Sequence, residues 1–266
     1  LDAPLLYLAS DRALPFVETI DMDARRFQWE VRTFLAKRVE GTLQPGDAPP
    51  AVKLPDEAQR IRRYLDRGGM LVAVNEGRAQ SFANSIRDLG LYLYPQYEWR
   101  ELPEDHWAYT IHHPVDRPRM QVIGLSNGVR ELIVLISRGD PAAELQVEPD
   151  SSDPRVRTMI NLALYGSERG HPRPLLEKQG ALPERDDPTW PDATVARVVH
   201  GGNWRPEPWA WRAFRSWLRT RGAPIDLRIV DRTAADLAEA EDPPAVVHLV
   251  GLEAENISAE NVDQLG

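Results

Sequence analysis

The chain has 266 residues, with 41 acidic against 32 basic side chains and a formal net charge of −9. This acidic balance argues against a nucleic-acid-binding protein, because such proteins gather basic side chains on one face. The absence of cysteine excludes disulfides, thiolate metal sites and every mechanism that uses a cysteine nucleophile. No apolar run approaches the roughly 18 residues of a membrane span, so no transmembrane segment is predicted in this chain.

The first half of the chain alternates predicted strands and helices. PLLYLAS (4–10) predicts a strand, and an arginine-rich helix follows around 23–39. The proline- and glycine-rich segment 41–55 predicts a surface loop. A helix is predicted over 56–69, where it ends at a pair of glycines, and it leads into the apolar strand 70–75. Short apolar runs without strict alternation favour strands that are covered on both faces.

The middle of the chain predicts two more strands, a helix and a linker. MQVIGLS (120–126) and ELIVLIS (131–137) are the strands. The helix covers 153–166, with apolar residues at four-residue spacing and Asp153 as its N-cap. Residues 171–192 are rich in proline and mixed charge without periodicity, which indicates a linker.

The last part of the chain repeats the alternation. TVARVVH (194–200) predicts a strand and 206–222 a helix, in which Trp211, Phe214 and Leu218 form an apolar stripe that is expected to pack against the core. Two further strands are predicted, at 224–230 and 245–251. The whole pattern indicates an α/β fold, with an open, mostly parallel sheet and helices on both faces.

Two strand segments of the chain resemble each other. APLLYLAS (3–10) aligns with PAVVHLVG (244–251) at an offset of 241 residues. Three apolar residues match, Tyr7 corresponds to His248, and Ser10 corresponds to Gly251. We interpret the match as an internal repeat, which gains weight from the segments around it.

Several segments, taken in rotated order, form a recognisable set. They are HGGNW (200–204), PLLYLAS (4–10) with its repeat AVVHLVG (245–251), IRRYLDRGGML (61–71), LPEDHW (102–107), ELIVLISRGD (131–140) and INLALYG (160–166). The set resembles a bacterial family known as domain of unknown function family 4159. The resemblance implies a fold like that of class I glutamine amidotransferases or flavodoxin-like proteins, and it implies no particular activity.

The rotated order has a consequence for domain organisation. Residues 1–170 are predicted to be the back part of one α/β unit, and 193–266 the front part of a second, as in a fragment of a tandem protein. Alternatively, 193–241 supplies the missing first strands to the sheet of 1–170, as in a circular permutant. Family members often accompany cell-envelope modules, so the resemblance favours a periplasmic or envelope-associated protein.

Polar residues at the carboxyl ends of strands are the candidate site, because ligands bind open α/β sheets at that edge. Asn75 and Glu76 follow the strand 70–75, and Ser137 and Asp140 follow the strand 131–137. Arg130, just before that second strand, is predicted to join Asp140 in binding an anionic or sugar-like ligand.

The segment Gly201, Gly202, Asn203 and Trp204 is a second candidate ligand loop. Two glycines before a helix suit phosphate, whose charge is attracted by free backbone N–H groups and the helix dipole. However, the segment matches no phosphate-binding motif and no lysine lies nearby in the sequence. The sequence therefore favours a strand-to-helix turn.

Two functions remain open at the level of sequence. The favoured one is a non-catalytic binding or scaffold module that engages a protein partner or a small ligand. The alternative is a cysteine-free hydrolase of sugars or amides, with Glu76, His106 and Asp140 as catalytic residues. No G-x-S-x-G elbow surrounds Ser137, and the histidine spacing predicts no zinc site, with His112 and His113 expected on opposite faces of a strand. No cofactor is predicted.

Overall fold

The chain divides into two units, each built around a sheet of its own. A computed structural model describes residues 5–39, 42–44, 46–77, 80–115, 120–139, 141, 152–167, 192–201 and 203–251. Unit 1 comprises Leu1–Phe34 and Ala48–Glu177, and unit 2 comprises Leu35–Asp47 and Lys178–Gly266.

The sheet of unit 1 is open and largely parallel. Its strands are β1 (Leu5–Ser10), β2 (Met70–Asn75), β3 (Trp99–Glu101), β4 (Gln121–Ser126) and β5 (Glu131–Arg138). They lie in the order β1-β2-β5-β4-β3, with β1, β2 and β5 parallel to one another. β4 runs antiparallel to both β5 and β3. A tight connection between β4 and β5 therefore adds an antiparallel edge to the predicted parallel sheet.

Helices cover both faces of this sheet, as the sequence predicts. The helices are α1 (Pro15–Glu18), α2 (Ala24–Val39, of which residues 24–34 belong to unit 1), α3 (Asp56–Asp66), α4 (Ser81–Leu93), α5 (Trp107–Thr110) and α6 (Pro154–Gly166). Leu71 and Ala73 face the core formed with α1 to α4, while Val72 and Val74 face the core formed with α5 and α6. Every residue of β2 is buried, which confirms a strand covered on both sides.

The segment IRRYLDRGGML (61–71) forms the corner between α3 and β2. Gly68 follows the helix with φ +101°, a left-handed conformation that glycine adopts without steric cost. Tyr64 lies over Gly69 and donates its hydroxyl hydrogen bond to the carbonyl of Met70. Arg130 donates to the carbonyls of Leu65 and Gly69, so it ties the end of α3 to the start of β5.

Unit 2 has a three-stranded parallel sheet. Its strands are β6 (Asp192–Val198), β7 (Asp226–Arg232) and β8 (Val246–His248), in the order β7-β6-β8, and its helices are α7 (Ala210–Thr220) and α8 (Ala234–Ala238). Arg215 and Arg219 of α7 both pair with Asp226 at the start of β7. These bonds hold the pKa of Asp226 well below its usual range and fix the helix against the strand.

The apolar stripe of α7 is only partly covered, contrary to the prediction. Trp211 donates from its indole N–H to His248 Nδ1 at 3.0 Å. Phe214, however, is 46% exposed and stacks on Trp217, which is also exposed. The physical reason is the pairing of Arg215 and Arg219 with Asp226, which places these arginines on the covered side of α7 and leaves Phe214 at the edge of that side.

Other departures from the sequence predictions are local. The sequence did not predict α4 or β3. His112 and His113 lie in a bend, not in a strand, and their rings contact each other at 4.4 Å between centroids. Residues 171–191 of the predicted linker lie outside the described residues, and Asp192 already begins β6. The tandem and permuted interpretations both stay predictions.

The packing at Gly69 generates a stability prediction. A Cβ atom at this position would lie 2.3 Å from Cζ of Tyr64, so Gly69→Ala forces the ring to move and is expected to cost about 1–3 kcal/mol of unfolding free energy. Urea denaturation of wild type, Gly69→Ala, Tyr64→Leu and the double variant measures this cost. The cost of Gly69→Ala should shrink in the Tyr64→Leu background. Equal costs in both backgrounds would contradict the steric explanation.

Candidate functional site

The carboxyl ends of β2 and β5 meet at one edge of the five-stranded sheet. Val74 pairs with Ile136, so Asn75 and Ser137 end the buried parts of neighbouring strands. Asn75 is 2% exposed, and its Nδ2 donates to the carbonyls of Ser137 and Gly77, each at 3.3 Å. The amide group therefore connects the two strand ends and the turn that follows β2.

The amide oxygen of Asn75 differs from those of the other buried asparagines. Asn127 Oδ1 accepts from the backbone N–H groups of Val129 and Arg130, and Asn161 Oδ1 accepts from the N–H of His113. Within the described part of the chain, no group donates to Asn75 Oδ1, although this atom is buried. A buried acceptor without a donor costs free energy, so this oxygen is suited to a donor from a bound molecule.

The neighbours of Asn75 define what else this edge offers. The backbone N–H of Glu76 donates to the carbonyl of Ser10, which leaves the half-buried Glu76 carboxylate beside the strand ends. Gly77 has φ +128° and lies close to Asp11. A Cβ atom added to this glycine would lie 3.5 Å from Cβ of Asp11. Ser137 is buried and donates to the side chain of Gln121 at 2.9 Å. Its hydroxyl is therefore held in the sheet and is poorly placed to act as a nucleophile.

A buried acid and a histidine lie at the opposite end of β5. Glu131 begins the strand, and its Oε1 is 3.9 Å from Nε2 of His106. His106 Nδ1 accepts from the N–H of Ala108 and caps α5, so the neutral ring has its proton on Nε2, which faces the carboxyl group. Tyr165 packs its ring against His106 and accepts from the backbone N–H of Glu131.

Burial is the largest influence on the pKa values of Glu131 and His106. It raises the pKa of Glu131 from 4.5 to about 7, against the opposing effects of Arg100 and Ser126. Burial likewise lowers the pKa of His106, so both groups are neutral over part of the acidic range. Gly124 on the neighbouring strand makes room for the carboxyl group, because a Cβ there would lie 2.2 Å from Glu131 Oε2. Sequence analysis missed Glu131, although a charged residue at the head of an apolar strand was a usable indication.

Of the proposed hydrolytic residues, His106 and Glu76 lie at opposite ends of the sheet. His106 lies beside Glu131 at the start of β5, whereas Glu76 lies near Ser137 at the end, and six residues of strand span roughly 20 Å. Arg130 also lies at the start of β5, where it bonds to the end of α3. It is therefore not beside Asn75 and Ser137 at the carboxyl edge of the sheet. Asp140 lies outside the described residues.

The HGGNW segment lies in unit 2, where the chain leaves β6. The chain passes from β6 to β7 on one side and then to β8 on the other, so the carboxyl ends of β6 and β8 form a topological switch point. His200 Nε2 lies 2.6 Å from the carbonyl oxygen of Val250 and joins the two ends. Gly201 and Asn203 border this point, and Trp204 is half-buried against the guanidinium of Arg197. Gly202 lies outside the described residues.

The described ranges contain no candidate metal site and no candidate membrane span. No three histidine, aspartate or glutamate side chains there are placed to hold a metal ion together. No described helix is both long enough and apolar enough to cross a membrane.

The open, largely parallel sheet with helices on both faces defines unit 1 as an α/β domain. Residues 47–163 match the model of DUF4159, a domain of unknown function. The family resemblance is therefore confirmed for the part of the chain that contains Asn75, His106 and Glu131. No curated protein matches the chain. No solved structure matches it either.

The buried pair generates a pH prediction. The folded state holds a proton on Glu131 up to pH about 7, and the unfolded chain loses it near 4.5, so this group's contribution to stability falls as the pH rises between these values. Wild type should lose about 2 kcal/mol relative to Glu131→Gln between pH 5 and 8. Urea denaturation of both proteins across this range measures the difference.

The two proteins are compared at each pH because His106 acts in the opposite sense. Its lowered pKa costs stability as the pH falls below its ordinary value of 6.5. Glu57→Gln changes an exposed glutamate at the start of α3 and serves as the matched control. Parallel pH curves for wild type and Glu131→Gln would contradict the shifted pKa.

Proposed function

We propose that the chain is a non-catalytic binding module that holds a sugar-like, polyhydroxylated ligand at the carboxyl ends of β2 and β5. The single observation that supports this proposal most is the buried amide oxygen of Asn75, which accepts no hydrogen bond from the described residues. Its amide group donates to Ser137 at the end of β5 and to Gly77 in the turn after β2, so the oxygen is fixed in place.

The chemistry of this edge favours hydroxyl donors. An amide oxygen and the neighbouring carboxylate of Glu76 are both acceptors, and hydroxyl groups of a sugar can donate to both. The half-buried position of Glu76 leaves its carboxylate accessible to a ligand.

The alternative function, a cysteine-free hydrolase, has less support. A general base has to lie within hydrogen-bond reach of the reacting group, directly or through one water. His106 is separated from Glu76 by the length of β5, and the Ser137 hydroxyl is hydrogen-bonded to Gln121.

The family resemblance supports an envelope location for the protein, which is part of this proposal.

Ligand binding is tested with glucose, N-acetylglucosamine and myo-inositol as probes. We expect at least one of them to bind wild type with a dissociation constant in the millimolar range or tighter, measured by NMR titration of the backbone amides of Glu76 and Gly77, which every variant retains. Asn75→Leu removes the acceptor and should weaken binding by about tenfold or more, the equivalent of one buried hydrogen bond.

An exposed asparagine on α4 provides the matched control. Asn84→Leu makes the same chemical change away from the strand ends and should leave binding unchanged. Circular dichroism confirms that each variant is folded. If none of the probes binds wild type, or if Asn75→Leu binds as tightly as Asn84→Leu, the proposal is wrong.

A further inference from the structure

Two strands at the edges of the two sheets correspond in sequence. β1 forms one edge of the five-stranded sheet, where it pairs with β2, and β8 forms one edge of the three-stranded sheet, where it pairs with β6. The internal repeat aligns Leu5 with Val246, Leu6 with Val247 and Tyr7 with His248. Each strand is parallel to its partner, so the repeat extends from sequence to position in a sheet.

The two edges are complementary. Among the described residues, β1 has a neighbouring strand on the β2 side only, and β8 has one on the β6 side only. If β1 and β8 are equivalent strands, a strand in this position has two neighbours, β2 on one side and β6 on the other. β1 has the first of these neighbours and β8 has the second. Backbone N–H and C=O groups along an open edge are a template for an added strand, and LLYLAS contains no charge that would discourage pairing.

β8 is a short and partly exposed strand. It has three residues, which pair with three of the seven residues of β6, and its Val246 and Val247 are 43% and 49% exposed. β1 has six residues and pairs with β2 along its whole length. β1 is therefore long enough to cover more of the β6 edge than β8 does.

We propose that β1 of one copy of this chain takes the place of β8 beside β6 of a second copy. The product is a single seven-stranded sheet in the order β7-β6-β1-β2-β5-β4-β3, with the first two strands from one copy and the other five from its partner. This inference is independent of the sugar-binding proposal, because it uses a different edge of the sheet.

The observed register of β8 defines the register of the exchange. Val246, Val247 and His248 lie opposite Val195, Ala196 and Arg197. The repeat then places Leu5 opposite Val195, Leu6 opposite Ala196 and Tyr7 opposite Arg197. Apolar residues meet apolar residues at the first two positions, as a buried parallel pair requires.

The third position keeps the polar contact of β8. His248 accepts the indole N–H of Trp211, and the phenol oxygen of Tyr7 is also an acceptor. Tyr7 is 42% exposed. Each copy offers one β1 edge and one β6 edge, so the contact joins different surfaces and produces rings or open chains of copies.

The absence of cysteine makes disulfide mapping a direct test. Residues opposite each other on neighbouring strands have Cα atoms within the 4.4–6.8 Å range typical of disulfides. Tyr7→Cys and Arg197→Cys are prepared as separate proteins of different tag length, mixed and oxidised. We expect a disulfide-linked heterodimer that contains one of each, and sedimentation velocity of the unmodified chain should show concentration-dependent self-association.

Controls distinguish this register from others. Leu8→Cys mixed with Arg197→Cys should give at least tenfold less heterodimer, because adjacent strand residues point to opposite faces. Circular dichroism checks that each variant is folded. The proposal is overturned if the two mixtures cross-link equally or not at all, if Tyr7→Cys links instead to His248→Cys, if a Tyr7→Cys/Arg197→Cys double variant links only within one chain, or if the unmodified chain stays monomeric.

Discussion

The burial of β2 and β5 on both faces is the constraint on which the rest of unit 1 depends. Helices cover each side of these strands, so only their ends are available to polar side chains. Asn75 and Glu131 occupy two such ends, and each satisfies only part of its hydrogen-bonding capacity within the described residues. The same packing that stabilises the sheet therefore concentrates unsatisfied polar groups at its two edges.

The two ends use their polar groups differently. At the carboxyl end, Asn75 is neutral at every pH and its donors are engaged, so the remaining oxygen offers a fixed and pH-independent acceptor. At the amino end, Glu131 is enclosed by His106 and Tyr165, and its charge is opposed by desolvation. A recognition site benefits from the first arrangement, whereas the second makes the stability of the domain depend on proton concentration.

Sequence reasoning was successful where one local pattern determined the outcome. The helix before Gly68 and the buried strand after it follow from periodicity and a glycine stop, and both were predicted. α4 was missed because its apolar residues surround most of the helix, which hides the stripe of an amphipathic pattern. The position of Asn75 at a strand end was predictable, but its unpaired oxygen was not, because that depends on Ser137 and Gly77, brought near by the fold. The exposure of Phe214 depends similarly on the pairing of the α7 arginines with Asp226 of β7, a contact that no pattern within the helix contains.

Gly124 has a consequence for how this domain can change during evolution. The glycine leaves the volume that the Glu131 carboxyl group occupies on the adjacent strand. A larger side chain at 124 is compatible with the fold only if residue 131 becomes shorter, and a shorter residue at 131 leaves a cavity unless 124 grows. The two positions are therefore expected to vary as a pair, so that a family alignment would record the buried acid and its glycine as one inherited feature.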